Sequence, residues 1–233
     1  MHRRARHLTG RAAGASYHYD ARRVNSTNGS TLGTIYDLAG SNNLTQSTVA
    51  DQAIYIANGL NGNPVIRFDG STDFYSLAST VPIQGEYFGL LVYKTTSQIA
   101  PTFTNRLSAT ATPYTNFYYN GTLFSTYGNG SINTPGMSSI VNVFNIISTY
   151  TNGNYQNGRH YTNGSLIGGV TYSSPASTES GSMDTFGRRD WDTPDVFFAG
   201  DLACGIHIRG TLASSLKKRF EHACGFSFKI ACS

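Results

Sequence analysis

Apolar and polar residues alternate along most of this chain with a period of two, in short runs interrupted by turn-forming residues. That period places successive side chains on opposite faces of a strand. It predicts strands at 16–21, with Tyr17 and Tyr19 on one face and His18 on the other, at 65–68, at 141–150 and at 202–208. In the last of these Leu202, Cys204, Ile206 and Ile208 are expected inward, with Ala203, Gly205 and His207 outward. Residues 86–96 break the alternation, because Phe88, Leu90 and Val92 are matched by Tyr87, Leu91 and Tyr93 on the other side. An apolar run of this kind predicts a central strand buried on both faces.

Turn chemistry divides the runs. Asn61-Gly62, Asn120-Gly121 and Asn163-Gly164 are hairpin bends, since both residues tolerate positive φ, while Asn152-Gly153 and Asn157-Gly158 are expected to bracket a further turn. Pro64 sets the entry to Val65-Ile66-Arg67-Phe68, and Asp69-Gly70 turns the chain again, with Asp69 bonding its own backbone. One helix is predicted over 212–224, capped by Thr211, with Leu212, Leu216, Phe220 and Ala223 packed and Lys217, Lys218, Arg219 and Glu221 facing solvent. Gly225 is read as its stop and 226–230 as a final strand.

Composition agrees with many short strands. Of 233 residues 39% are hydrophobic and only 13% charged, with 25 Gly and 15 Tyr, which points away from charged surface helices. The length suits one large core, so the expected division is a basic arm over 1–15 and one domain over 16–233. The net charge of +4 sits at the ends, in Arg3, Arg4, Arg6 and Arg11 and in Lys217, Lys218 and Arg219. Such an arm is read either as a solvated terminus or as a fastener to an acidic protein surface, anionic lipid or nucleic acid, the last ranked low without interleaved aromatics. No apolar run reaches 18 residues, so no membrane span is expected, and no apolar segment after the first arginines resembles a secretory signal. Cys204, Cys224 and Cys232 are odd in number and form no CxxC pair, which predicts buried free thiols without a zinc site.

Four segments, in order, carry a resemblance. They are Tyr19-Asp20-Ala21, then Tyr36-Asp37-Leu38 running on to Thr45-Gln46, then Asn61-Gly62-Asn63-Pro64-Val65-Ile66-Arg67-Phe68-Asp69-Gly70, and finally Gly200-Asp201-Leu202-Ala203. Over about residues 16–225 the chain resembles concanavalin A-like (laminin-G-like) jelly-roll domains. The resemblance implies an all-β fold, an antiparallel β-sandwich of jelly-roll type, with one short C-terminal helix. Tyrosine replaces the usual tryptophan of the opening strand, and Cys204 stands where the family usually has glutamate, which marks that position as core. Some jelly-roll relatives are glycoside hydrolases with Glu-x-Asp-x-Glu on one strand. Here the glutamates are Glu86, Glu179 and Glu221, far apart, and no G-x-S-x-G elbow is present, so no catalytic residue is assigned and no enzyme is expected.

The densest polar cluster is Arg188 to Asp195, which holds the single tryptophan. Trp191 can stack on a sugar ring, and Asp190 and Asp192 can offer oxygens to calcium; alternatively the loop neutralises itself and Trp191 covers an edge. Calcium takes six to eight oxygens, so no metal or cofactor is assigned, with calcium the one ion this loop leaves open. Tyr118 and Tyr161 are candidates for an aromatic binding face. The combination of a module usually found outside cells with a bare basic arm leads to a first expectation. It is a non-catalytic structural or adhesive virion protein of a tailed phage, decorating (cementing) the capsid after assembly in the host cytoplasm. Arg3, Arg4, Arg6 and Arg11 would fasten it to the major capsid protein, with host-surface glycans met on the outer face and a homo-oligomer left open. The alternatives are a cellular lectin or carbohydrate-binding module, a tail or fibre receptor-binding component and, last, a glycosidase.

Overall fold

Asn61 and Gly62 adopt φ of 49° and 86°, as the Asn-Gly pair allows, and the bend they make joins the strands Ile54–Leu60 and Asn63–Asp69. The Asn61 side chain also donates to the carbonyls of Phe228 (3.0 Å) and Lys229 (3.2 Å), so one turn closes a hairpin and caps the end of a helix. The computed structural model describes residues 15–82, 86–96, 99–104, 115–120, 123–125, 134–135, 142–151, 157–171, 182–189 and 196–232.

Among these residues two eight-stranded antiparallel sheets form. The first runs from edge to edge as Ser165–Thr171, Asn157–Thr162, Asn145–Thr151, Tyr87–Thr95, Ala199–Arg209, Asn63–Asp69 and Ile54–Leu60. Ala15–Asp20 pairs with the second half of the long Ala199–Arg209 strand, beyond the point where Asn63–Asp69 leaves it. The second sheet runs Thr134–Pro135, Leu123–Ser125, Thr115–Asn120, Ile99–Thr104, Ser182–Phe186, Tyr75–Pro82, Leu44–Thr45 and Thr34–Ile35. Between the sheets lies an aromatic core in which Phe68 touches Tyr75, Phe186 and Phe198 at centroid distances of 5.9, 5.2 and 5.3 Å. The predicted antiparallel β-sandwich with one C-terminal helix is the observed fold.

The helix, α1 (Ser214–Phe228), covers the outer face of the first sheet and makes a second core there, with Phe220, Cys224 and Phe228 packed among Phe88, Leu90, Val92, Cys204, Ile206 and Ile208. Tyr87–Thr95 is therefore buried on both sides, as its pattern predicts. All three cysteines are free, Cys204 and Cys224 buried and Cys232 half-buried.

Several expectations fail locally, each for a tertiary reason. The helix does not stop at Gly225 but continues to Phe228 and ends at Lys229 with φ 55°, so no strand forms over 226–230. Gly225 is required for another cause: a Cβ there would meet the Cys232 sulfur at 2.6 Å as the chain folds back. Thr211 is no cap, because its hydroxyl donates to Glu86, and the capping position is Ala213. Glu221 is buried rather than solvated and accepts a hydrogen bond from Ser148. Lys217 is half-buried over the Tyr150 ring, and burial lowers its amine to about 8. A register shift between Leu202 and Cys204 reverses the alternation, so Leu202 faces the inter-sheet core while Cys204, Ile206 and Ile208 face α1. His207 thereby points inward and is fully buried.

Candidate functional site

The carboxylates that make the sequence recognisable are fastened within the fold. Asp69 accepts from the N–H groups of Ser71, Thr72 and Asp73 and from the Ser71 hydroxyl. Burial pushes its carboxyl up, but these bonds outweigh that and hold it well below the usual range. Asp73 accepts from the Asp69 N–H at 2.8 Å, yet burial and the charges of Asp69 and Asp51 raise it to about 6. Asp201, 1% exposed, is held between Arg67 and Lys94, each at 2.7 Å, on the two strands flanking its own. Asp20 binds the Arg22 guanidinium at 2.6 Å. Each of these carboxylates is engaged within the fold.

Asp37 differs. Its oxygens accept from the N–H groups of His18 (2.8 Å), Ala39 (2.9 Å) and Asn42 (3.1 Å), which folds the segment after Ile35 back onto the first strand. The Tyr19 hydroxyl then holds the Asn42 carbonyl at 2.6 Å, and the Asn42 side-chain oxygen takes the Ser79 N–H at 2.8 Å. The loop is thereby tied to both sheets. Between it and the strand ends a cleft of about 270 Å³ opens at the mouth of the sandwich, lined by Ser16, Asp37, Gly40–Asn42, Ser79–Val81 and Arg209.

Arg209 shares the inter-sheet face of its strand with His207, one side chain behind it. The His207 ring lies between those of Tyr17 (5.3 Å) and Tyr87 (5.1 Å), and among the described residues neither ring nitrogen has a hydrogen-bond partner. Burial, with the Arg209 charge adding to it, lowers His207 to about 3, so the ring is neutral. Arg209 itself is exposed, and among the described residues its guanidinium forms no ion pair or hydrogen bond. Among the described residues the cleft offers hydroxyls, an amide and the Arg209 guanidinium, and none of them sets a nucleophile beside a base. Among the described residues no group of three His, Cys, Asp or Glu side chains is placed to hold a metal ion.

The residues singled out from the sequence lie elsewhere. Trp191, Asp190 and Asp192 fall outside the described residues, as do Arg3, Arg4, Arg6 and Arg11. Tyr118 lies on Thr115–Asn120 of the second sheet and Tyr161, half-buried, on Asn157–Thr162 of the first, so the two tyrosines do not share a sheet. The cleft residues were missed as a group, although Asp37 and Asn42 belong to one of the recognised segments.

No protein-family model matches the chain and no curated protein matches it. Solved structures do. A sialidase of Trypanosoma rangeli, in complex with 2-keto-3-deoxy-D-glycero-D-galacto-2,3-difluoro-nononic acid, superposes with a TM-score of 0.63 at 13% identity over 95% of this chain. The match takes in 34% of the sialidase, so the chain spans about a third of that enzyme's length. The binding domain of Paraclostridial Mosquitocidal Protein 1 gives 0.57 at 13% identity, over 90% of this chain and 52% of that one. The CBM40 of Ruminococcus gnavus IT-sialidase, bound to alpha2,3 sialyllactose, gives 0.50 at 13% identity over 67% of this chain and 95% of its own. At these identities the likeness is one of fold: the chain is a concanavalin A-like β-sandwich.

Proposed function

We propose that this chain is a glycan-binding module that acts by recognition, without catalysis, through the cleft beside Asp37. The observation that carries the proposal is the lining itself, four hydroxyl side chains, an amide, a fixed carboxylate and a guanidinium gathered from four separated segments at the mouth of the sandwich. Ring hydroxyls donate and accept in turn, and such a lining answers both roles. The oligosaccharide bound by the similarly folded CBM40 supports the reading. Decoration of a phage particle rests instead on the arginines of the N-terminal arm; its separate test is co-sedimentation with phage heads, lost on removing residues 1–14.

The test of glycan binding is a glycan array followed by calorimetry on the full chain, on Ser79→Trp, which fills the cleft from an exposed position, and on Trp191→Ala. Binding that disappears in Ser79→Trp and persists in Trp191→Ala is expected. An array without a single retained glycan, or binding abolished by Trp191→Ala and indifferent to Ser79→Trp, would overturn the proposal.

A further inference from the structure

We infer that the cleft selects sugars that carry a carboxylate, and that Arg209 is the residue that reads it. The inference rests on the glycan-binding reading and follows from counting donors and acceptors around the cleft.

Asp37, the one carboxylate of the lining, and the oxygens of Asn42 are already engaged within the fold. Asp37 takes three backbone N–H groups, the Asn42 side-chain oxygen takes the Ser79 N–H, and the Asn42 carbonyl takes the Tyr19 hydroxyl. What remains is the Asn42 amide NH2, the hydroxyls of Ser16, Ser41, Ser79 and Thr80, which donate and accept alike, and the five N–H groups of Arg209, which only donate. Each of the other arginines with a carboxylate in reach is occupied, Arg22 by Asp20 and Arg67 by Asp201. Among the described residues Arg209 forms no ion pair or hydrogen bond, and the neutral His207 one side chain behind it supplies neither an acceptor contact nor a competing charge. A planar guanidinium at the rim of a hydroxyl-lined cleft matches a two-oxygen acceptor, which it can hold with two parallel bonds. A neutral sugar can exchange hydrogen bonds with the cleft hydroxyls but leaves the Arg209 fork without a charged acceptor. Acidic sugars, whether nonulosonic or hexuronic, supply that acceptor in one group.

The test uses matched pairs on the full chain: 3′-sialyllactose against lactose, and an oligogalacturonate against its methyl ester. For at least one pair the acidic member should bind roughly 10- to 100-fold more tightly, the difference a charge-assisted hydrogen bond commands. Arg209→Gln should erase that preference by weakening the acidic member far more than the neutral one, and Arg209→Lys should keep part of it; melting curves of both variants should match the parent. Equal affinity for acidic and neutral members, or an Arg209→Gln variant that weakens both alike, overturns the inference while glycan binding itself stands. If neither member of either pair binds and the array is also blank, the inference falls together with the reading beneath it.

Discussion

Asp201 and Asp37 are both buried carboxylates from recognisable segments of the chain, and the structure uses them in opposite ways. Asp201 sits mid-strand, and its charge is cancelled by two side chains on neighbouring strands, Arg67 and Lys94. Asp37 sits in a loop, and its oxygens are taken by backbone N–H groups, so it shapes the chain without using up a cation. One consequence is that the sheet around Asp201 is electrostatically closed. The other is that Arg209, at the mouth of the sandwich, keeps its charge for something outside. A carboxylate can thus serve a fold by binding cations or by binding backbone, and only the second leaves a cation free to meet a ligand.

The sharpest way to break the first region is to remove both cations. Arg67→Met with Lys94→Met leaves Asp201 buried without a counter-charge, which should cost about 3–5 kcal/mol in urea unfolding at pH 7. A double variant with an unchanged midpoint at pH 7 would show that the triad is not holding the three strands together.

The second region responds to pH through His207. Its folded value of about 3 lies below the ordinary 6.5, so the unfolded chain takes the proton first. The stability that His207 contributes is full above about 6.5 and is lost as pH falls toward 3, at about 1.4 kcal/mol per unit. At pH 4 that is about 3 kcal/mol. The titratable or charged groups facing the ring are Tyr17, Tyr87 and Arg209, none of which changes charge in this window. His207→Phe should therefore flatten the acid limb of a stability–pH curve while changing little at pH 7. An acid limb identical to the parent's would place the sensitivity in other groups.

These two regions were unequally legible. Asn61-Gly62, Asp69-Gly70 and the double-faced apolar run at 87–95 act locally, through turn chemistry and strand period, and their sequence readings hold. The helix end fails because Gly225 looks like a stop and Phe226-Ser227-Phe228 alternates like a strand, while what extends the helix is contact between distant segments: the Asn61 amide donating to its last carbonyls and Cys232 pressing on Gly225. His207 was placed on the wrong face because a single register shift after Leu202 reverses everything beyond it. The cleft has no local signature, since Ser16, Asp37, Ser79 and Arg209 meet only through the sandwich. The one available signal was a polar Gly40-Ser41-Asn42 run directly after a carboxylate of the resemblance.

Removing the Asp37 carboxylate tests whether backbone anchoring is what forms the cleft. Asp37→Ala leaves three N–H groups without their acceptor and should cost about 1–3 kcal/mol. Asp37→Asn keeps one acceptor oxygen and should recover part of it. Glycan affinity should fall with the anchoring, more in the alanine variant than in the asparagine one. Full affinity in Asp37→Ala would show that the loop holds its shape by the Tyr19 and Ser79 bonds alone.

The smallest stability effect is expected where the ligand effect is greatest. Arg67→Gln and Arg209→Gln make the same chemical change at two arginines, both exposed on their strands. At position 67 it removes a 2.7 Å bond to a carboxylate that is 1% exposed, and a loss of about 1–3 kcal/mol should follow. At position 209 it removes no hydrogen bond or ion pair among the described residues, and the change should stay within about 0.5 kcal/mol. Arg209 even raises the cost of protonating His207, so its removal should shift the acid limb slightly to lower pH instead of weakening the neutral state. Paired melting curves at pH 7 decide the matter: if the two variants lose equal stability, Arg209 is a structural residue like Arg67 and the contrast between the regions collapses.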